Sequence, residues 1–298
     1  MKEMTLRQLE YFVAVAEEQS ITKAALKCHV TQAGISLAIK DLESALGVDL
    51  AIRRKSKGVC LTPTGRVVAN RARALLGEAR HLVDSVDDVA GGFSGTFTVG
   101  CFSTLSTLVI PEVADYFARE HPDVKLEFVE GPGPEIQEML LRGQIDLCFL
   151  YEVQRHPEVE TVLLAERHFL VALSPEHPLA EREEVSIREL TPHPAALLDV
   201  EPASYLNESL LRRFGAEPNV AYRSASVHTI RELVGRGLAY SLLMQEVRES
   251  PEGRPLKFLP IMEPVGTNSL LVGHPRGIRP SRLATALIDY CRDHLPVG

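Results

Sequence analysis

Apolar positions in the first fifth of the chain recur at helical spacing. Thr5-Leu6-Arg7-Gln8 has a hydroxyl at a cap position and a Gln three residues on, the pattern of a capping box, and Leu6, Leu9, Phe12, Val13 and Ala16 then fall on one helix face. Ser20 is placed to cap a second, short helix, whose small Ala24 and Ala25, followed by Leu26, let the next helix approach closely. After a turn over 27–30, Thr31 caps a third helix with Ile35, Ile39, Leu42 and Leu46 as its apolar stripe and Gly47 at its end. Gln32, Ser36 and Lys40 form a second, polar stripe on this helix. Two helices joined by a tight turn, the second polar near its start, make a helix-turn-helix layout. A plain three-helix bundle with a solvated polar face fits the same periodicity.

The next pattern favours the first reading. Arg53-Arg54-Lys55-Ser56-Lys57-Gly58 is a basic cluster ending in a turn residue, and Val59-Cys60-Leu61 reads as a strand, so a hairpin with a cationic tip stands beside the third helix. Gln and Ser suit base edges and Lys suits phosphate, while a basic wing neutralises phosphates and can enter the minor groove. The candidate DNA contacts are Thr31, Gln32, Ser36, Lys40, Arg53, Arg54, Lys55 and Lys57. Thr64 is then read as the cap of a long helix starting near Gly65. Val68, Ala72, Leu75, Ala79, Leu82, Val86 and Val89 follow at 4-3-4-3-4-3 spacing, the seam of a two-stranded coiled coil and hence a dimerisation surface. An amphipathic helix packed on its own domain is the alternative. Gly91-Gly92 and Ser94-Gly95 end the helix as a hinge.

From residue 93 the pattern changes to alternating strands and helices. Strands over 96–101, 124–130 and 145–150 enclose helices over 107–119 and 134–142, a βαβαβ unit with a parallel sheet. A second set has strands at 169–173, 196–199, 220–223 and 238–243, with helices near 204–214 and 227–235. A strand at 269–273 and a helix at 282–294 return to the first lobe. The chain is expected to cross between lobes near 161–165 and again near 264–268. In open α/β sheets, ligands bind beyond the carboxyl ends of strands, at helix N-termini. That rule selects Ser103, Thr104, Leu105, Ser106, Tyr151, Asp199, Ser204, Tyr205, Ser224 and Ser226 as effector contacts. Hydroxyls with free backbone N–H groups favour a small anion, Asp199 and Glu152 leave room for an amine, and each Ser or Thr taken alone also serves as a helix cap.

Charge sharpens this division. Residues 1–66 carry 10 Lys/Arg against 7 Asp/Glu and the remainder 22 against 33, giving a basic head on an acidic body within a net charge of −8. No apolar run approaches the ~20 residues of a membrane-spanning helix, and the N-terminus lacks a signal-peptide pattern, so a cytoplasmic protein without membrane contact is expected. Five scattered cysteines without a Cys-x-x-Cys pair argue against a disulfide framework or a zinc site. Phosphate-loop, nucleophile-elbow, His-Glu-x-x-His and dinucleotide fingerprints are absent from the sequence. We therefore assign no catalytic residue, metal or cofactor.

Residues 6–65 resemble the DNA-binding head of the LysR-type transcriptional regulators. The resemblance rests on Leu9 to Phe12, Ser20 to Ala25, Thr31-Gln32 to Ser36, Leu42-Glu43 to Gly47, and Leu61-Thr62 to Gly65. Further along, Gly143-Gln144-Ile145-Asp146, His177-Pro178-Leu179 and Val234-Gly235-Arg236-Gly237 resemble looser motifs of the same family's effector domain. Three positions depart from the family pattern: Ala33 for Pro, Leu37 for Arg, and Ala51 for Phe. The first two alter the base-reading face, and the third implies a slightly different core under the wing. The resemblance implies an α+β multidomain chain: a winged helix-turn-helix (1–63), a linker and dimerisation helix (64–92), and a two-lobed α/β domain like the periplasmic binding proteins (93–298). Lobe I is expected at about 93–161 and 267–298 and lobe II at about 165–264. It further implies a transcription regulator controlled allosterically by a small-molecule effector, with double-stranded DNA, a homodimer or homotetramer, and RNA polymerase as partners. Because the family includes peroxide sensors with paired cysteines in the second lobe, a thiol sensor is one alternative, although 165–265 holds no Cys. A solute-binding or enzymatic α/β protein is the other.

Overall fold

The computed structural model describes residues 4–54, 58–89, 95–215 and 217–295. Three helices open the chain: α1 (Leu6–Glu18), α2 (Ile21–Lys27) and α3 (Gln32–Leu46). Thr5 and Gln8 close a reciprocal capping box, and Ser20 and Thr31 accept the N–H groups of Lys23 and Gly34, so each helix start satisfies its own donors. The three helices pack around Phe12, Ala24, Ile35 and Leu42, all fully buried. Ala24 and Ala25 lie where the sequence predicts a close helix approach.

Strands β1 (Ala51–Arg54) and β2 (Gly58–Leu61) form the expected antiparallel hairpin, with Ala51 opposite Leu61. Glu43 Oε1 accepts the N–H groups of Leu50 (2.8 Å) and Ala51 (3.1 Å), and Val59 N–H donates to Gln19 O (2.9 Å). These bonds fix the wing to α3 and α1. A side chain at Gly65 would collide with the Leu50 carbonyl, the physical reason for glycine in Leu61-Thr62-Pro63-Thr64-Gly65.

Helix α4 (Pro63–Val89) starts two residues earlier than expected. Its cap is Thr62, whose Oγ1 accepts Gly65 N–H (2.8 Å) and donates to Asp49 O (2.8 Å); Thr64 lies inside the helix. Proline suits the first helical position because its missing N–H is one of the groups a helix leaves unpaired there. The expected seam also needs correction. Ala72, 1 % exposed, is buried in the head's own core with Ala69 and Leu76, and Val68 packs against that core, so neither forms a free seam. The first turns of α4 must bury a face on α1, which takes the small residues a coiled coil would use. Leu75 is 49 % exposed, and Ala79 is half-buried. The side chains of Leu82, Val86 and Val89 lie outside the described residues. The head's core therefore runs to Leu76, past the boundary expected at 63.

Lobe I is a five-stranded sheet in the order β4-β3-β5-β12-β6. β3 (Gly95–Phe102), β4 (Val124–Gly131) and β5 (Leu147–Tyr151) are parallel, and β12 (Thr267–Pro275) runs antiparallel between β5 and β6 (Val159–His168). Strand alternation divides β5: Leu147, Phe149 and Tyr151 face α5 (Ser106–Glu120) and α9 (Arg282–His294), while Cys148 and Leu150 face α6 (Gly133–Leu141). In lobe II, β7 (Leu170–Leu173) lies between β10 (Ser241–Leu243) and β11 (Lys257–Pro260), and β8 (Pro194–Leu198) is parallel to β9 (Asn219–Ser224). Tyr240 joins the two parts through Tyr240 N–H to Pro194 O (2.9 Å) and Ala196 N–H to Tyr240 O (2.8 Å). Helices α7 (Ala203–Arg213) and α8 (Val227–Gly235) cover opposite faces.

The first passage between lobes is not at 161–165. Those residues sit in mid-strand, because β6 pairs with β12 from Val159 to His168, and the chain enters lobe II at Phe169. The second passage lies between Pro260 and Thr267. β11 was not expected from the sequence; a four-residue strand ending in proline carries too little alternation to read.

Candidate DNA-reading face and interlobe cleft

Helix α3 turns Ile35, Ile39 and Leu42 inward. Directly opposite, at 4-3-4 spacing, stand Ala33, Leu37, Lys40 and Ser44, all exposed. The expected polar stripe is one shoulder of this face. Gln32 Nε2 donates to Thr22 Oγ1 (2.7 Å), so α2 sets the Gln32 amide. Ser36 is half-buried, and Thr31 is occupied as the cap. Leu37, 61 % exposed, was noted in the sequence as a departure from the family and not as a contact. In the wing, Arg53 and Arg54 stand opposite Val59 and Gly58. Their side chains, and all of Lys55 and Lys57, lie outside the described residues.

The cleft lies where strands of both lobes end, at Phe102, Tyr151, Leu198 and Leu243. Its walls are mostly apolar, and its cavity volume is about 60 Å³. That holds a few waters, against roughly 300–1,000 Å³ for typical small-molecule sites. Of the ten expected effector contacts, Thr104 and Tyr151 line it. The others serve the backbone or face elsewhere. Leu105 is part of the lobe I core, Ser106 Oγ donates to Ser103 O (2.8 Å), and Ser103 N–H donates to Gly131 O (3.1 Å). Ser226 caps α8, Ser224 Oγ accepts Ser226 N–H (3.2 Å), and Asp199 N–H bonds Ser224 O (2.8 Å). On α7, Ala203, Leu206 and Asn207 line the cleft, leaving Ser204 off it and Tyr205 75 % exposed.

The polar groups that do meet in the cleft are Arg231, Gln245, Asn207, Asn268 and Tyr151. Arg231 is 4 % exposed; its Nη2 donates to Gln245 Oε1 (3.1 Å), and its Nε has no partner. No acidic residue pairs with it among the described residues. Burial lowers the Arg231 pKa, and the Tyr151 hydroxyl opposes this only in part. Gln245 spans the lobes: its Nε2 donates to Thr104 O (2.7 Å) and to Tyr151 Oη (3.4 Å). Asn207 Oδ1 is also buried without a partner. The sequence held a signal for Arg231, a cation within the stripe Val227, Ile230, Val234.

Two family models match the chain. Residues 6–66 match the bacterial regulatory helix-turn-helix protein, lysR family, and residues 90–296 match the LysR substrate binding domain. This chain belongs to the LysR family of transcriptional regulators. A LysR-type chain thus joins a DNA-binding head to an effector-binding domain, as the fold shows. It is similar to a putative LysR family regulator from Pseudomonas aeruginosa (32 % identity, TM-score 0.63, covering 98 % of this chain and 99 % of that one). It is also similar to a full-length OxyR variant from the same organism (25 %, TM-score 0.75, 98 % and 96 %). Among curated relatives, the Hca operon transcriptional activator HcaR of Escherichia coli is 28 % identical over 92 % of this chain and 93 % of its own length. A hydrogen peroxide-inducible genes activator of Pectobacterium carotovorum is 27 % identical over 98 % and 97 %.

Two of the lobe I thiols are poorly suited to sensing. Cys101 and Cys148 are fully buried in lobe I, and burial raises both, Cys148 to about 12. A thiol held protonated in an apolar core is inert to peroxide. Among the described residues, no group of three or more His, Cys, Asp or Glu is placed to hold a metal, and no helix is long and apolar enough to cross a membrane.

Proposed function

We propose that the chain switches transcription in response to a compact carboxylate with an apolar body, taken up in the interlobe cleft. One observation carries this reading: Arg231 is buried in the cleft wall without an acidic partner and with Nε unpaired. A buried charge is normally paired, and a guanidinium accepts a carboxylate through two parallel bonds. Phe102, Val153, Phe169, Leu206, Val227 and Met244 suit an apolar body, and Asn207 Oδ1 suits a donor on it. The Gln245 carbonyl stands on Arg231 in the place that a carboxylate oxygen would take. The effector displaces it, and the Gln245 amide releases Thr104 and Tyr151 on lobe I. The lobes then settle at a new angle. In a dimer or a dimer of dimers joined through the outer face of α4, this changes the spacing of the two heads and their action on RNA polymerase. A coupling of about 1–3 kcal/mol is sufficient.

The test is thermal unfolding of the full chain against aromatic and aliphatic monocarboxylates and their neutral amides. At [L] near 100 Kd, an effector adds about 2.7 kcal/mol and raises Tm. The matching amide leaves Tm unchanged, and Arg231→Met abolishes the shift. Equal shifts from acid and amide would overturn the assignment.

A further inference from the structure

We propose that Leu37, with Ala33 one turn before it, reads the 5-methyl group of thymine in the operator half-site. The proposal rests on α3 being the base-reading helix. Leu37 lies diametrically opposite the buried stripe of α3 and is the large aliphatic side chain on the helix's outward face. At 61 % exposure the Leu37 side chain is free to meet a partner. On a helix that enters the major groove, this outward face meets the base edges. The neighbours of Leu37 divide the remaining tasks. Gln32 on the shoulder has its amide set by Thr22 at 2.7 Å, and Lys40 is exposed one turn further on, where a phosphate is reached. Between them, Ala33 and Leu37 offer hydrocarbon and no donor or acceptor. In the major groove, the thymine methyl is the apolar group that distinguishes a base pair. Where the LysR pattern has Arg, suited to guanine, this chain thus carries a side chain suited to thymine.

The experiment selects binding sites for the full chain from a random duplex library. Each thymine of the selected half-site is then replaced in turn by deoxyuracil, which keeps every hydrogen-bonding group and removes the methyl. Fluorescence anisotropy compares the wild type with Leu37→Ala and Leu37→Arg. At one thymine per half-site, the wild type loses roughly fourfold in affinity, the worth of one buried methyl group. Leu37→Ala binds both duplexes alike, and Leu37→Arg selects guanine there. If no thymine shows a methyl dependence, or if Leu37→Ala keeps the wild-type dependence, the proposal fails while α3 keeps its role. A selection that yields no sequence preference overturns the base-reading role of α3 and of Leu37 together.

Discussion

In the head, the helix starts and the entry to the wing are closed by nearby side chains. Thr5, Ser20, Thr31 and Thr62 close the starts of their helices, and Glu43 closes the entry to the wing. In the cleft, Arg231 and Asn207 are buried with bonding capacity left over, and Gln245 holds the lobes by bonds that a ligand group can replace. On the function proposed for the cleft, the difference follows from what each region does. A surface that reads DNA works as a rigid relief, so its stability comes from a closed core and capped helices. A site that switches needs groups whose needs are unmet in one state and met in another, so it gives up stability for response.

Substitutions in the two regions should therefore act in opposite directions. Phe12→Ala empties the centre of the head and is expected to cost about 3–5 kcal/mol. Denaturant titration should show an early head transition and loss of DNA binding, while carboxylates still shift the unfolding of the effector domain; loss of both together would mean that head and cleft are one cooperative unit. Arg231→Met removes a buried, unpaired cation and is expected to stabilise the unliganded chain by about 1 kcal/mol, since replacing buried charge by a hydrophobic group is often neutral to stabilising. Differential scanning calorimetry should place the variant at or above the wild-type Tm, and a clear fall would show the cation to be structurally required. The smallest effect concerns Glu232 on α8, held down to about 2 by its hydrogen bond from Ser250 and by Arg236 and Arg254. A depressed folded-state pKa makes its contribution fully present above the ordinary value of 4.5 and lost as pH falls through about 2. Acid titration of Glu232→Gln should be flatter than wild type between those values, and an unchanged profile would show that this network adds nothing.

The head was legible because its signals are local. A cap, a helical stripe and a terminal glycine lie within fifteen residues of one another, and Thr5, Thr31 and Gly47 act in the structure as the sequence predicts. The strand-helix alternation of the lobes was legible for the same reason. The cleft was not, because it joins residues as far apart as Thr104 and Gln245, and spacing alone does not reveal that pair. Of the residues that the strand-end rule selects, Thr104 and Tyr151 line the cleft. Ser106, Ser224 and Ser226 do not line it, because their hydroxyls bond to the nearby backbone, and Ser103 gives its carbonyl to the Ser106 hydroxyl. The seam misled at Ala72 because a small residue at heptad spacing suits the head's core as well as it suits a second chain.

Helix α4 has one further consequence, for exchanging modules between regulators. Since Ala69, Ala72 and Leu76 complete the core of the head, a graft joined at residue 63 would carry away part of the packing that keeps the head folded. The seam of a working hybrid lies after Leu76, inside an unbroken helix, and the register of the turns on either side of that splice then sets the angle at which the borrowed sensor addresses the DNA.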